Sequence, residues 1–130
     1  MAKKSDLMGL GLPVFLAQRM ATEPSQVTAV GASRASATTL GGDQFLTVVV
    51  GTNSGVALQL PQIGGNGCLL GDDFIVNALA ATASVYPGSG CTISVGAASY
   101  STGTGVTVEL HTATSFYPIT ATQWIGIKGA

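Results

Sequence analysis

Hydrophobic and polar residues alternate along much of the chain, and glycine punctuates the alternation. Over 106–111 the pattern is clean: Val106, Val108 and Leu110 share one face, while Thr107, Glu109 and His111 share the other. Successive side chains of a strand point to opposite faces, so this predicts a strand with its three aliphatic residues inward. Cys91, Ile93 and Val95 repeat the pattern and predict a strand over 91–95. Residues 45–50 form an apolar, β-branched run of strand length, the mark of a strand covered on both faces. The turn-forming segment Gly51-Thr52-Asn53-Ser54-Gly55 follows, so 56–60 is predicted to fold back as its hairpin partner, ended by Pro61. Further strands are predicted over 74–79, 84–86 and 124–128. Gly41-Gly42, Gly64-Gly65 and Gly103-Thr104-Gly105 mark turns between them. Short strands with glycine turns and no helix between them predict an all-β body, a compact β-sandwich or β-barrel. No repeat of solenoid length is visible, which argues against a β-helix.

Residues 1–26 read differently from the body at 27–130. Ser5 caps a short predicted helix carrying Leu7, Met8 and Leu10, which Gly9 and Gly11 weaken. Pro13 suits the first turn of a second predicted helix over 13–20, and Glu23-Pro24 closes it. The expectation is an extended, partly helical N-terminal arm with hydrophobic anchors and no core of its own.

Composition changes this picture in one respect. A chain of 130 residues fits one domain, but only 8% of them are charged, against about 25% in ordinary soluble domains. So few charges cover a small monomer poorly, which predicts that much of the surface is buried in an assembly. The net charge of −1 gives no footprint for nucleic acid. Lys3, Lys4, Arg19 and Arg34 make the start mildly basic, whereas Lys128 alone faces Asp43, Asp72, Asp73 and Glu109 in the remainder. The apolar stretch 7–16 is broken by Gly9, Gly11 and Pro13 and is too short to span a bilayer. No membrane partner is expected, and synthesis in a bacterial cytoplasm is the simplest expectation.

Candidate chemistry is sparse. His111 is the only histidine, so any Ser-His-Asp or Cys-His mechanism must pass through it, yet the alternation places it on an outer face beside Glu109. Asp72-Asp73 is the only adjacent carboxylate pair, and neighbours in a strand diverge. The competing reading is a polar turn in which Asp72 bonds nearby backbone N–H groups. Cys68 and Cys91 follow similar glycine turns and are either a disulfide of a particle outside the cell or two buried thiols. No metal, cofactor or enzymatic activity is expected. Trp124, in the closing strand, reads as an oligomer or core anchor.

Several segments in order carry a resemblance: the opening Met1-Ala2-Lys3-Lys4-Ser5-Asp6-Leu7-Met8-Gly9-Leu10-Gly11-Leu12-Pro13, then Gly55-Val56-Ala57-Leu58-Gln59-Leu60-Pro61, Gly71-Asp72-Asp73-Phe74-Ile75-Val76-Asn77, Val85-Tyr86-Pro87-Gly88-Ser89-Gly90, and Thr122-Gln123-Trp124-Ile125-Gly126-Ile127. Together they resemble the small head-decoration (cement) and head-fibre proteins of tailed bacteriophages, from which 63–70 departs in being longer and cysteine-bearing. The resemblance implies a barrel or sandwich, usually a homotrimer, on the capsid exterior of the virion. Its partners would be the major capsid protein and copies of itself. On this reading Lys3, Lys4, Leu7, Leu10, Leu12, Phe15 and Arg19 form a capsid-contact arm. The alternative is a head- or tail-fibre module that recognises host glycans through Tyr86, Tyr100, Tyr117 or Trp124.

Overall fold

In a computed structural model, residues 8–11, 25–27, 33–42, 44–49, 56–64 and 67–129 are described. Among them the chain forms eleven strands: β1 (Ser25–Val27), β2 (Thr38–Thr39), β3 (Leu46–Val49), β4 (Val56–Gln59), β5 (Phe74–Ala78), β6 (Ala83–Tyr86), β7 (Thr92–Val95), β8 (Ala98–Tyr100), β9 (Val106–Val108), β10 (Ala113–Pro118) and β11 (Gln123–Lys128). A single 3-10 turn, Arg34–Ser36, lies between β1 and β2. The strands make a seven-stranded sheet, ordered β1-β3-β5-β10-β11-β7-β8, and a four-stranded sheet, ordered β2-β4-β6-β9. The all-β expectation holds. Among the described residues no helix is long and apolar enough to cross a membrane.

The connectivity differs from the one read from the pattern. Strands β3 and β4 are not a hairpin. β3 pairs in parallel with β1 and β5 in the larger sheet, and β4 pairs in parallel with β2 and β6 in the smaller. From β1 to β6 the chain therefore crosses between sheets at each step, winding three coils. The coils leave no fixed period in the sequence because the step varies: Ser25 pairs with Thr47 and Leu46 with Ile75, while Thr38 pairs with Leu58 and Val56 with Ala83. Burial explains why a crossing suits β4. Val56, Ala57 and Leu58 are all buried, so both of its faces are covered. The C-terminal half closes the coils with antiparallel pairs: β10 against β5, β11 against β10, and β9 against β6.

One core fills the space between the sheets. On the larger sheet, Thr47, Val76 and Thr114 lie in one inward row, Phe74, Phe116 and Gly126 in the next, and Pro118, Trp124 and Ile93 in a third. Phe74 meets Trp124 edge-on at 5.6 Å and 74°, and Phe45 lies tilted against Phe74 at 5.1 Å. Gly126 leaves room for this packing: a Cβ there would sit 2.8 Å from Val95 Cγ2 and 3.4 Å from Phe116 Cε1. The smaller sheet adds Val56, Leu58, Val85, Val106 and Val108.

The strand expected over 106–111 stops early. β9 ends at Val108, and Leu110, expected inward, is 42% exposed. A tight turn intervenes, with the Thr112 N–H donating to the Glu109 carbonyl at 3.0 Å and His111 at φ 65. At the N-terminal end, Met8 and Gly9 are helical and Gly11, at φ 92, donates its N–H to the Met8 carbonyl at 2.9 Å. The rest of the two helices expected in the arm lies outside the described residues.

Candidate interaction surface

The outward face of the larger sheet is built by the same registers that build its core. Leu46, Ile75, Ser115 and Ile127 form one row across β3, β5, β10 and β11. Gln26, Val48, Asn77 and Ala113 form a second, and Tyr117, Ile125, Ser94 and Ser99 a third. Leu46, Val48, Ile75, Tyr117 and Ile125 are half-buried, and Ile127 is 56% exposed. Gln123 Nε2 donates to Ser94 Oγ at 3.3 Å on this face, tying β11 to β7. Lys128, at the end of β11, is the only Asp, Glu, Lys, Arg or His in the seven strands. Solvent-facing sheets ordinarily carry charges, and edges are ordinarily blunted by them. The edge strands here, β1 and β8, have none.

The residues singled out in the sequence fall in several places. Trp124 is fully buried inside the subunit, where it anchors the core by shape; its indole N–H has no hydrogen-bond partner among the described residues. Leu10 is 80% exposed in the Met8–Gly11 turn. Lys3, Lys4, Leu7, Leu12, Phe15 and Arg19 lie outside the described residues. Tyr86, Tyr100 and Tyr117 are each half-buried. Tyr86 packs beneath Gly105, whose Cβ position is 3.0 Å from its Cζ, so it presents no free ring face there.

The two carboxylates diverge. Asp72 is buried, and its Oδ2 accepts the Leu69 N–H at 2.8 Å, which closes the turn into β5. Asp73 is exposed; partial burial pushes its carboxyl above the ordinary range, and a hydrogen bond with Tyr117 opposes that shift. His111 is exposed at the opposite end of the sandwich, its N–H bound to the Ala78 carbonyl at 2.7 Å. Among the described residues no three His, Cys, Asp or Glu side chains cluster closely enough to hold a metal ion. Cys68 is buried and Cys91 half-buried, the two are not joined by a disulfide, and burial raises the Cys91 thiol.

The uncharged outer face was not foreseen, although its signal was present: 74–78, 113–118 and 123–127 hold no charged residue. Compared with known proteins, the chain matches no family model, no curated sequence and no solved structure.

Proposed function

We propose that the protein is a virion structural subunit: a cement or decoration protein that assembles through its larger sheet and binds the exterior of a bacteriophage head, stabilising junctions between major capsid subunits. The observation that supports assembly is the outer face of the seven-stranded sheet, which holds an aliphatic residue in every row and no charged residue within its strands. Asp73, bonded to Tyr117, borders it, and Lys128 shares the register of Thr114 on the other face. The occupant of this face is a second copy of the chain. A patch without charge in its strands buries no unpaired charge when copies pack against it, whichever of its residues face one another. An exposed aliphatic surface of this kind on a chain with 8% charged residues favours burial against partners. The head of a bacteriophage as the place of assembly rests on the resemblance of the leader and of the strand motifs, and on the arm's separate composition.

Sedimentation at micromolar concentration tests the assembly. The wild type should run as a closed oligomer, a homotrimer. The double variant Ile75→Glu with Ile127→Glu should run as a folded monomer, since both side chains already reach solvent in the isolated subunit. A wild type that stays monomeric, or a double variant that still assembles, overturns the proposed face. Co-sedimentation with expanded heads then tests the shell as partner.

A further inference from the structure

At the end of the sandwich where β2, β4 and β6 finish and β7 and β11 begin, the loops leave an open groove of about 430 Å³. Thr39 and Gln59, cross-strand partners, contribute one wall. Gln62 comes from the loop after β4, Ser89 from the turn between β6 and β7, and Thr122 from the turn between β10 and β11. None of these five side chains makes a hydrogen bond of its own among the described residues, so their donors and acceptors are free for a ligand.

Backbone hydrogen bonds shape both walls. Gly64 donates to the Cys68 carbonyl at 2.7 Å and Cys68 donates to the Gln62 carbonyl at 2.9 Å. Gly67 lies close against Gln62, so that a Cβ on Gly67 would collide with the Gln62 carbonyl oxygen. Opposite, Cys91 donates to the Gly88 carbonyl at 3.0 Å across a turn that needs Gly90 at φ 75. A second hollow of about 250 Å³ adjoins the groove, lined by Ile63, Gly64, Leu69, Leu70 and Ala121; Ile63 and Ala121 belong to both.

The chemistry of these two spaces selects a ligand class. Among the described residues no Asp, Glu, Lys, Arg or His lines either, which disfavours phosphate, carboxylate and cationic ligands. Amide and hydroxyl side chains match a ligand of neutral hydroxyls and amides, and the apolar hollow beside them matches a small methyl-bearing group. A pyranose carrying an acetamido substituent has both parts. The geometry points to a binding site for an N-acetylated sugar unit of a neutral glycan, with ring hydroxyls along Gln59, Gln62 and Thr122 and the acetyl methyl against Ile63 and Ala121. Among the described residues no aromatic ring lines the groove, so the affinity of one site is weak, on the order of millimolar. Many copies on one particle raise it by avidity. This inference stands apart from the assembly reading, because the groove lies at the end of the sandwich and not on the sheet face.

Amide-resolved NMR titration of the full chain with chitotriose, and with cellotriose as the counterpart lacking acetamido groups, provides the test. Chitotriose should shift the amides of 62–64, 88–91 and 121–122, and cellotriose should bind about tenfold more weakly. Ala121→Leu, which fills the shared wall, should weaken chitotriose without affecting cellotriose. Gln62→Ala with Thr122→Ala should weaken both. Unchanged spectra outside the groove report that the variants keep the fold. Absence of shifts with chitotriose, equal response to the two sugars, or shifts centred elsewhere would overturn the site.

Discussion

His111 turns the chain from β9 into β10 at φ 65, a left-handed conformation that costs a residue with a Cβ about 1–2 kcal/mol. Its side chain is exposed and does nothing for the core, so His111→Gly should stabilise the protein by roughly 0.5–1 kcal/mol after the entropy of glycine is set against the relief. Gly126 is the converse case. Gly126→Ala places a methyl 2.8 Å from Val95 Cγ2, inside the packing around Phe116, and should cost about 1–3 kcal/mol. Urea midpoints measure both, and the two changes should move them in opposite directions. Asp73 adds a pH term. Its carboxyl sits above its ordinary value of 3.8 in the fold because burial disfavours the charged form. The folded state therefore holds the proton more tightly than the unfolded chain, and stability falls as pH rises through the folded value. Asp73→Asn should accordingly raise the urea midpoint at pH 7 relative to wild type, with the gain shrinking as pH drops below that ordinary value. A gain that is constant with pH would assign the effect to the Tyr117 hydrogen bond instead.

Elements were legible in the sequence as short apolar or alternating runs between turn residues, and illegible where topology or a left-handed turn decided. β5, β7 and β11 fall within a residue or so of the segments the pattern marks, since each is a short run rich in apolar residues and bounded by turn residues. β10 was missed because Thr114 takes an inward position in Ala113–Pro118, and a hydroxyl there hides the alternation. The β3–β4 hairpin was the natural reading of a glycine-flanked polar turn, but local residues do not say whether a turn returns to the same sheet or crosses to the other. Leu110 was misassigned because alternation continues through a turn that only the left-handed backbone at His111 reveals. The glycan groove draws on five elements and had no signature in one segment. The arm boundary, placed at residue 26, cuts through β1, whose Ser25, Gln26 and Val27 pair with β3. Deletion should therefore stop at residue 22. That truncated chain should remain folded and oligomeric yet fail to decorate expanded heads, as gel densitometry of purified particles would read. Normal occupancy would show that the arm is dispensable and return the capsid contact to the body.

Across the whole molecule, contact area is the resource most in evidence. A subunit bound at the junctions of a finished shell stabilises the assembled form by mass action, because it has no equivalent site on separated capsid proteins. Heads lacking the protein should therefore assemble and fill with DNA but release it at a lower temperature. Two separate surfaces contribute in this scheme. On the proposed function the sheet face would hold copies together and the arm would hold the assembly to the shell, so loss of either should lower occupancy. Leu10 is already 80% exposed within the subunit, which suits an anchor that becomes buried only on docking. Truncating a buried Leu or Phe anchor costs about 2–5 kcal/mol, and each shell carries many copies. Leu10→Ala combined with Phe15→Ala should thus reproduce most of the effect of deleting the arm, and Ile75→Glu with Ile127→Glu should produce a similar loss through dissociation of the oligomer. Asp72→Asn and His111→Ala, remote from both surfaces, should leave the release temperature unchanged. DNA release followed by dye fluorescence against temperature compares these particles directly. Equal release temperatures with and without the protein would remove the cement reading, and loss of host adsorption in those same particles would move the function to the glycan groove.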